Sequence, residues 1–125
     1  MYLWIAAGSA LGGIGRYAFG QLASYYLPAA FPWGTWMINI IGSFIIGIAA
    51  ALVAGNNIPY SQEIKQFVMV GLCGGFTTFS SFSLQTLEML QEQRYSMAAL
   101  YSISSVSCCV FAVWLGYWLA ALKVG

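Results

Sequence analysis

Residues Ile64 to Leu90 form one hydrophobic run that carries Gly74-Gly75-Phe76-Thr77-Thr78-Phe79-Ser80-Ser81-Phe82-Ser83 inside it. As a continuous helix these roughly 27 residues would extend about 40 Å at 1.5 Å per residue. The hydrocarbon core of a bilayer is only about 30 Å thick. The excess length and the glycine pair predict a helix that breaks at mid-membrane, over residues 74–78, and then restarts. Gly74 and Gly75 supply backbone freedom that other residues lack, and Thr77 and Thr78 supply hydroxyls suited to capping the next helix. A break within lipid is tolerated only where protein or a wet cavity satisfies the freed backbone groups. Breaks of this kind place carbonyls toward cations and amides toward anions. The competing reading is a glycine kink that serves packing alone.

The remainder of the chain has to live in the same solvent. Of its 125 residues, 61% are hydrophobic and 6% charged, and the mean hydropathy is +0.80. Apolar surface on that scale marks an integral membrane protein. A net charge of +1 provides no basic field for nucleic acid. The chain has no histidine, the commonest general base and a frequent metal ligand. Cys73, Cys108 and Cys109 fall inside hydrophobic runs without zinc-type spacing and read as small packing residues. No nucleophile–base pair or metal constellation is visible, so no enzyme reading survives.

Four spans are expected, at about 2–26, 35–54, 64–90 and 96–122, which together use essentially the whole chain as one all-α membrane domain. The N-terminal run lacks a basic leader and is too long for a signal, so it reads as the first span. Within it, Gly8 and Gly12 form a G-x-x-x-G pair that permits close helix approach. Arg16 sits near its middle, where a charge costs at least about 2.5 kcal/mol. It either snorkels to a surface or helps to hold an anion. Pro28 and Pro32 bracket a connection, with Trp33 and Trp36 expected as interfacial anchors. Asn39, Gly42 and Ser43 share one face of the second span. The Asn39 amide serves either as interhelical glue or as a pore donor.

A second loop is expected at Asn56 to Ser61, followed by Glu63 and Lys65 at the membrane surface. Beyond the break, Phe79, Phe82, Ser83 and Thr86 share a face on which aromatic rings alternate with hydroxyls. In the fourth span Tyr101, Ser104, Ser105 and Cys108 form a polar stripe that suggests a wet wall. A single serine means little there, because it can bond to its own helix. With four spans, Lys65 and Lys123 face one side and Arg94 the other, so the charge bias is near zero and fixes no single orientation. That balance suggests a dimer whose subunits insert in opposite directions. No internal repeat is visible, so any inverted symmetry needs two copies.

The stretch Gly74 to Ser83 resembles the Fluc (CrcB) fluoride channels. Gly12-Gly13-Ile14-Gly15-Arg16-Tyr17 and Asn39-Ile40-Ile41-Gly42-Ser43-Phe44 support the likeness, which covers all four spans. The resemblance implies an antiparallel, dual-topology homodimer in the bacterial inner membrane, with two pores that export fluoride passively. It also implies a structural sodium ion on the dimer axis, held by the backbone carbonyls of Gly74 and Thr77. Its pore phenylalanines fall on Phe79 and Phe82, its asparagine on Asn39, and its polar track on Tyr101 through Ser105. Cys109 and Val113 stand where hydroxyl-bearing residues are frequent, and Gln85 where a glutamate is frequent. The candidate fluoride-contacting residues are therefore Asn39, Phe79, Phe82, Ser83, Thr78, Tyr101, Ser105 and Arg16. Their chemistry suits a small, strongly hydrated anion: amide and hydroxyl donors, electropositive ring edges, and binding weak enough to release. A small multidrug-type antiporter would need a carboxylate within the membrane, for which Glu88 is the only near candidate. A structural membrane subunit is the third reading.

Overall fold

Chain punctuation and apolar content together set the helices. The computed structural model describes residues 1–55, 59 and 61–124, and no strand occurs among them. Helix α1 spans Tyr2–Tyr26 and ends where Leu27 turns extended, at φ −114° and ψ 149°. Pro28 follows, and a residue before proline is driven out of the helical region. Helix α2, Trp33–Ala54, begins directly after Pro32, whose carbonyl accepts from the Trp36 N–H at 3.1 Å. Most of the expected second loop, 56–58 and 60, lies outside the described residues.

The third hydrophobic segment is two helices. Helix α3 covers residues 61–76: an α-helical Ser61–Ile64, a π-wound Lys65–Cys73, and an α-helical Gly74–Phe76. Thr77 and Thr78 are extended, and helix α4 resumes over Phe79–Gln91. Nine residues of π winding are unusual, since such turns normally occur singly and near functional sites. Helix α4 closes in a Schellman cap. The Arg94 N–H reaches the Met89 carbonyl at 2.8 Å and the Gln93 N–H reaches that of Leu90 at 3.1 Å. Gln93 takes the left-handed position, φ 61°. Helix α5 then runs from Tyr95 to Val124.

Among the described residues, three helical segments are long and apolar enough to cross a membrane: Trp33–Ala54, Ser61–Gln91 and Tyr95–Lys123. Tyr2–Tyr26 has the length, at 25 residues, but its glycines, tyrosines, Gln21 and Arg16 lower its hydropathy.

Small residues hold the helices together. A Cβ on Gly12 would strike the Leu72 carbonyl oxygen, and one on Gly75 would lie 2.6 Å from the Ser9 carbonyl oxygen. Helices α1 and α3 therefore meet backbone to backbone. Gly47 against Val113 and Gly116 against Phe44 do the same for α2 and α5. Apolar side chains fill the end where α2, α4 and α5 converge: Met89, Ala98 and Tyr101, with Phe31, Trp36, Phe82 and Met97 around them. Trp36 belongs to this core. Its indole N–H donates to Ser104 Oγ at 3.1 Å, so it packs against α5.

Candidate ion pathway at the helix interruption

The chain leaves the helix at the threonines. Gly74 keeps helical angles, φ −62° and ψ −39°, and no glycine among the described residues has a positive φ. The expectation that the glycine pair supplies unusual backbone angles is thus corrected: Gly75 is needed for close approach to α1. The two threonines divide the capping work. Thr78 caps α4, its Oγ1 accepting from the Ser81 N–H at 3.1 Å. Thr77 instead donates its hydroxyl back to the Cys73 carbonyl at 2.8 Å.

Asn39 stabilises the extended link from α2. Its Oδ1 accepts from the Thr78 N–H at 2.8 Å, and its Nδ2 donates to the Thr78 carbonyl at 3.2 Å. One side chain thus pairs both polar groups of a residue that has left its helix. One amide hydrogen of Asn39 remains for another acceptor. Arg16, half-buried on α1, donates from Nε to the Gly75 carbonyl at 3.2 Å. It pairs one carbonyl at the end of α3 and places a fixed positive charge beside the interruption.

The carbonyls of Gly74 and Thr77 are left without helical donors. In a continuous helix they would take the N–H groups of Thr78 and Ser81, but those donate to Asn39 Oδ1 and Thr78 Oγ1. Phe79 and Ser80 open α4, where amides lack intrahelical acceptors and the helix dipole is positive.

Two cavities meet at this link. One, of about 520 Å³, is a polar vestibule lined by Arg16, Gln21, Ser24, Thr35, Thr78, Ser81, Gln85, Glu88 and Arg94, among others. The other, of about 350 Å³, is lined by Asn39, Ser43, Met69, Cys73, Gly74, Thr77, Thr78, Phe79, Phe82, Ser105 and Cys109, among others. Thr78 lines both. In the second cavity Ser105 is 7% exposed, and its hydroxyl has no hydrogen-bond partner. Leaving a buried hydroxyl unpaired costs about 1–3 kcal/mol.

The remaining candidates separate. Phe79 is 77% exposed, and its ring centroid lies 5.5 Å from that of Phe82, which in turn lies 5.0 Å from that of Tyr101. Tyr101 is fully buried and donates its hydroxyl to Gln85 Oε1 at 2.8 Å. It supports the Phe82 ring and lines neither cavity. Ser83 Oγ donates to the Phe79 carbonyl of its own helix at 2.9 Å, away from both cavities. On α5 the wall facing the second cavity is Ser105, Val106 and Cys109, whereas Ser104 accepts from Trp36. Gln85, noted in the sequence only as standing where a glutamate is frequent, lies midway along α4, where it accepts from Tyr101 and lines the vestibule.

Residues 3–117 match the family model described as CrcB-like protein, Camphor Resistance (CrcB). Relatives include a fluoride-specific ion channel FluC of Opitutus terrae, 46% identical over 94% of this chain and 89% of its own. Another, from Rhodospirillum rubrum, is 47% identical over 93% and 91%. The FluC of Thermus thermophilus is 43% identical over 99% and 98%.

Proposed function

The chain belongs to the CrcB-like family, a family of fluoride channels and not of enzymes, and from that premise we propose that it conducts fluoride passively out of the bacterial cytoplasm. The observation that carries this reading is the unpaired Ser105 hydroxyl in a cavity shared with Asn39, Phe79 and Phe82. Fluoride is small and tightly hydrated, so it enters an apolar region only where donors replace its water. Ser105 Oγ–H and the second Asn39 amide hydrogen are such donors. The edges of Phe79 and Phe82 add weak electropositive contacts. None is a full charge, which suits an ion that must leave again.

The route proposed runs from the polar vestibule past Thr78 into the aromatic cavity. Arg16 and the opening amides of α4 make the interruption positive without placing a mobile cation in the path. Four membrane crossings, a break at mid-membrane and insertion in both orientations in the inner membrane complete the reading. In the antiparallel homodimer, two copies cross at Gly74 and each supplies one pore. Gly74 suits that contact: it is exposed, and a Cβ there would meet nothing within 4 Å in the protomer.

A sodium ion fits the same place. The carbonyls of Gly74 and Thr77, freed of helical donors, are hard oxygen ligands without a carboxylate, a set better matched to a monovalent cation than to calcium or magnesium. Held by these carbonyls from both subunits, sodium would supply a fixed positive charge near each pore.

The test is efflux from liposomes containing only this protein. Fluoride should leave rapidly and electrogenically while chloride is retained, with no proton coupling. Equal rates for the two anions would defeat the proposal.

A further inference from the structure

We propose that the 350 Å³ cavity is also a binding site for soft, thiophilic cations, held by the thiols of Cys73 and Cys109. The two cysteines come from different helices, α3 and α5, yet line the same cavity together with the Met69 thioether. Ser105, whose buried hydroxyl lacks a partner, lies on that wall one helical turn from Cys109. No carboxylate among the described residues lines this cavity. Thiol and thioether ligands without carboxylate favour soft cations of the Cu(I) and Ag(I) type over sodium, magnesium or calcium. No group of three or more His, Cys, Asp or Glu residues is placed to hold a metal among the described residues. The cavity wall offers two thiols and one thioether, which suits cations content with two sulfur ligands.

Binding needs thiolates. Each thiol releases its proton to solvent and gives a sulfur lone pair to the cation, with no change of oxidation state. Cys109 is half-buried, and Phe79 at the cavity rim is exposed, so a small ion has access. Cys108, the next residue, does not line the cavity. Resting on the channel reading, a cation lodged there blocks fluoride by filling the cavity and, because two thiolates and a monovalent cation together carry a net negative charge, by repelling the anion.

Silver ion, added as nitrate in chloride-free buffer, is the probe. Titration of the purified full-length protein, read by native mass spectrometry and by sulfur-to-silver ultraviolet absorption, should reveal a tight site. Cys109→Ser should weaken it about tenfold or more, and Cys108→Ser should retain it. Cys109 is the better position to vary, because Cys73 is 3% exposed and its replacement disturbs packing. Unchanged affinity in Cys109→Ser, or loss in Cys108→Ser, overturns the site. In liposomes, silver should reduce fluoride efflux about tenfold or more in the native protein and in Cys108→Ser, with the treated-to-untreated ratio near one in Cys109→Ser. Silver that binds without slowing efflux overturns the block. Protein that passes no fluoride at all defeats the channel reading instead, and the titration then decides the site by itself.

Discussion

At Ser105 the demands of folding and of the proposed function point in opposite directions. Its hydroxyl is buried and unpaired, so removing it relieves a desolvation penalty. Ser105→Ala is expected to leave stability unchanged or to raise it by up to about 1–3 kcal/mol, while fluoride efflux falls. A thermal melt in detergent read beside liposome efflux checks both; unchanged efflux would make the hydroxyl a packing flaw. Asn39 shows the reverse. Both ends of its amide pair the Thr78 backbone, so Asn39→Ala leaves two polar groups without partners. A loss of about 2–4 kcal/mol is expected, together with loss of efflux. Equal stability of variant and native protein would show that water replaces the amide.

At the scale of elements, the glycines beside the interruption have separate duties. Gly75→Val places a branched side chain against the Ser9 backbone, which cannot yield as a flexible side chain would. A Cβ there stands 2.6 Å from the Ser9 carbonyl oxygen, and overpacking of this kind costs about 1–3 kcal/mol. Gly74→Ala meets nothing in the protomer, and alanine favours a helix by about 1 kcal/mol over glycine. We expect Gly75→Val to lower the melting temperature, and Gly74→Ala to keep the protomer folded while shifting size-exclusion profiles from dimer to monomer. A Gly74→Ala protein that stays dimeric would remove Gly74 from the crossing point. At the other end of α4, Gln93 holds a left-handed conformation that suits glycine. Gln93→Gly should stabilise the protein by about 1 kcal/mol, read as a raised melting temperature with unaltered efflux. A lowered melting temperature would mean that the Gln93 side chain makes a contact worth more than the strain.

For the whole molecule the open matter is orientation. In the proposed four-span topology Arg94 is the lone basic residue of its side; it is engaged by Glu92 at 3.5 Å and by the Ala30 carbonyl. Lys65 and Lys123 oppose it across the proposed bilayer, so the bias that fixes orientation is small. C-terminal tags should report on both sides of the inner membrane. Several lysines added to the connection at 56–60 should bring all tags to one side and abolish efflux, and co-expression with a copy biased the other way should restore it. An active native protein whose tags face only one side would end the dual-topology reading.

Composition alone, 61% hydrophobic and 6% charged, made the chain a helical membrane protein, because in lipid every backbone group needs an internal partner. Local punctuation was equally legible: Pro28 ends α1, and Thr78 caps α4, since both act through their immediate neighbours. The position of the break within Gly74 to Thr78 was not. It depends on Asn39, 39 residues away, offering the Thr78 N–H a better acceptor than the next helical turn would. Arg16 pairing the Gly75 carbonyl, Tyr101 donating to Gln85 and lining neither cavity, and Cys109 replacing Cys108 on the cavity wall are of the same kind. Each is settled by which helix face another helix covers. Residue spacing gives the face, and only the packing of α1, α2 and α5 around the interruption decided what lies opposite it.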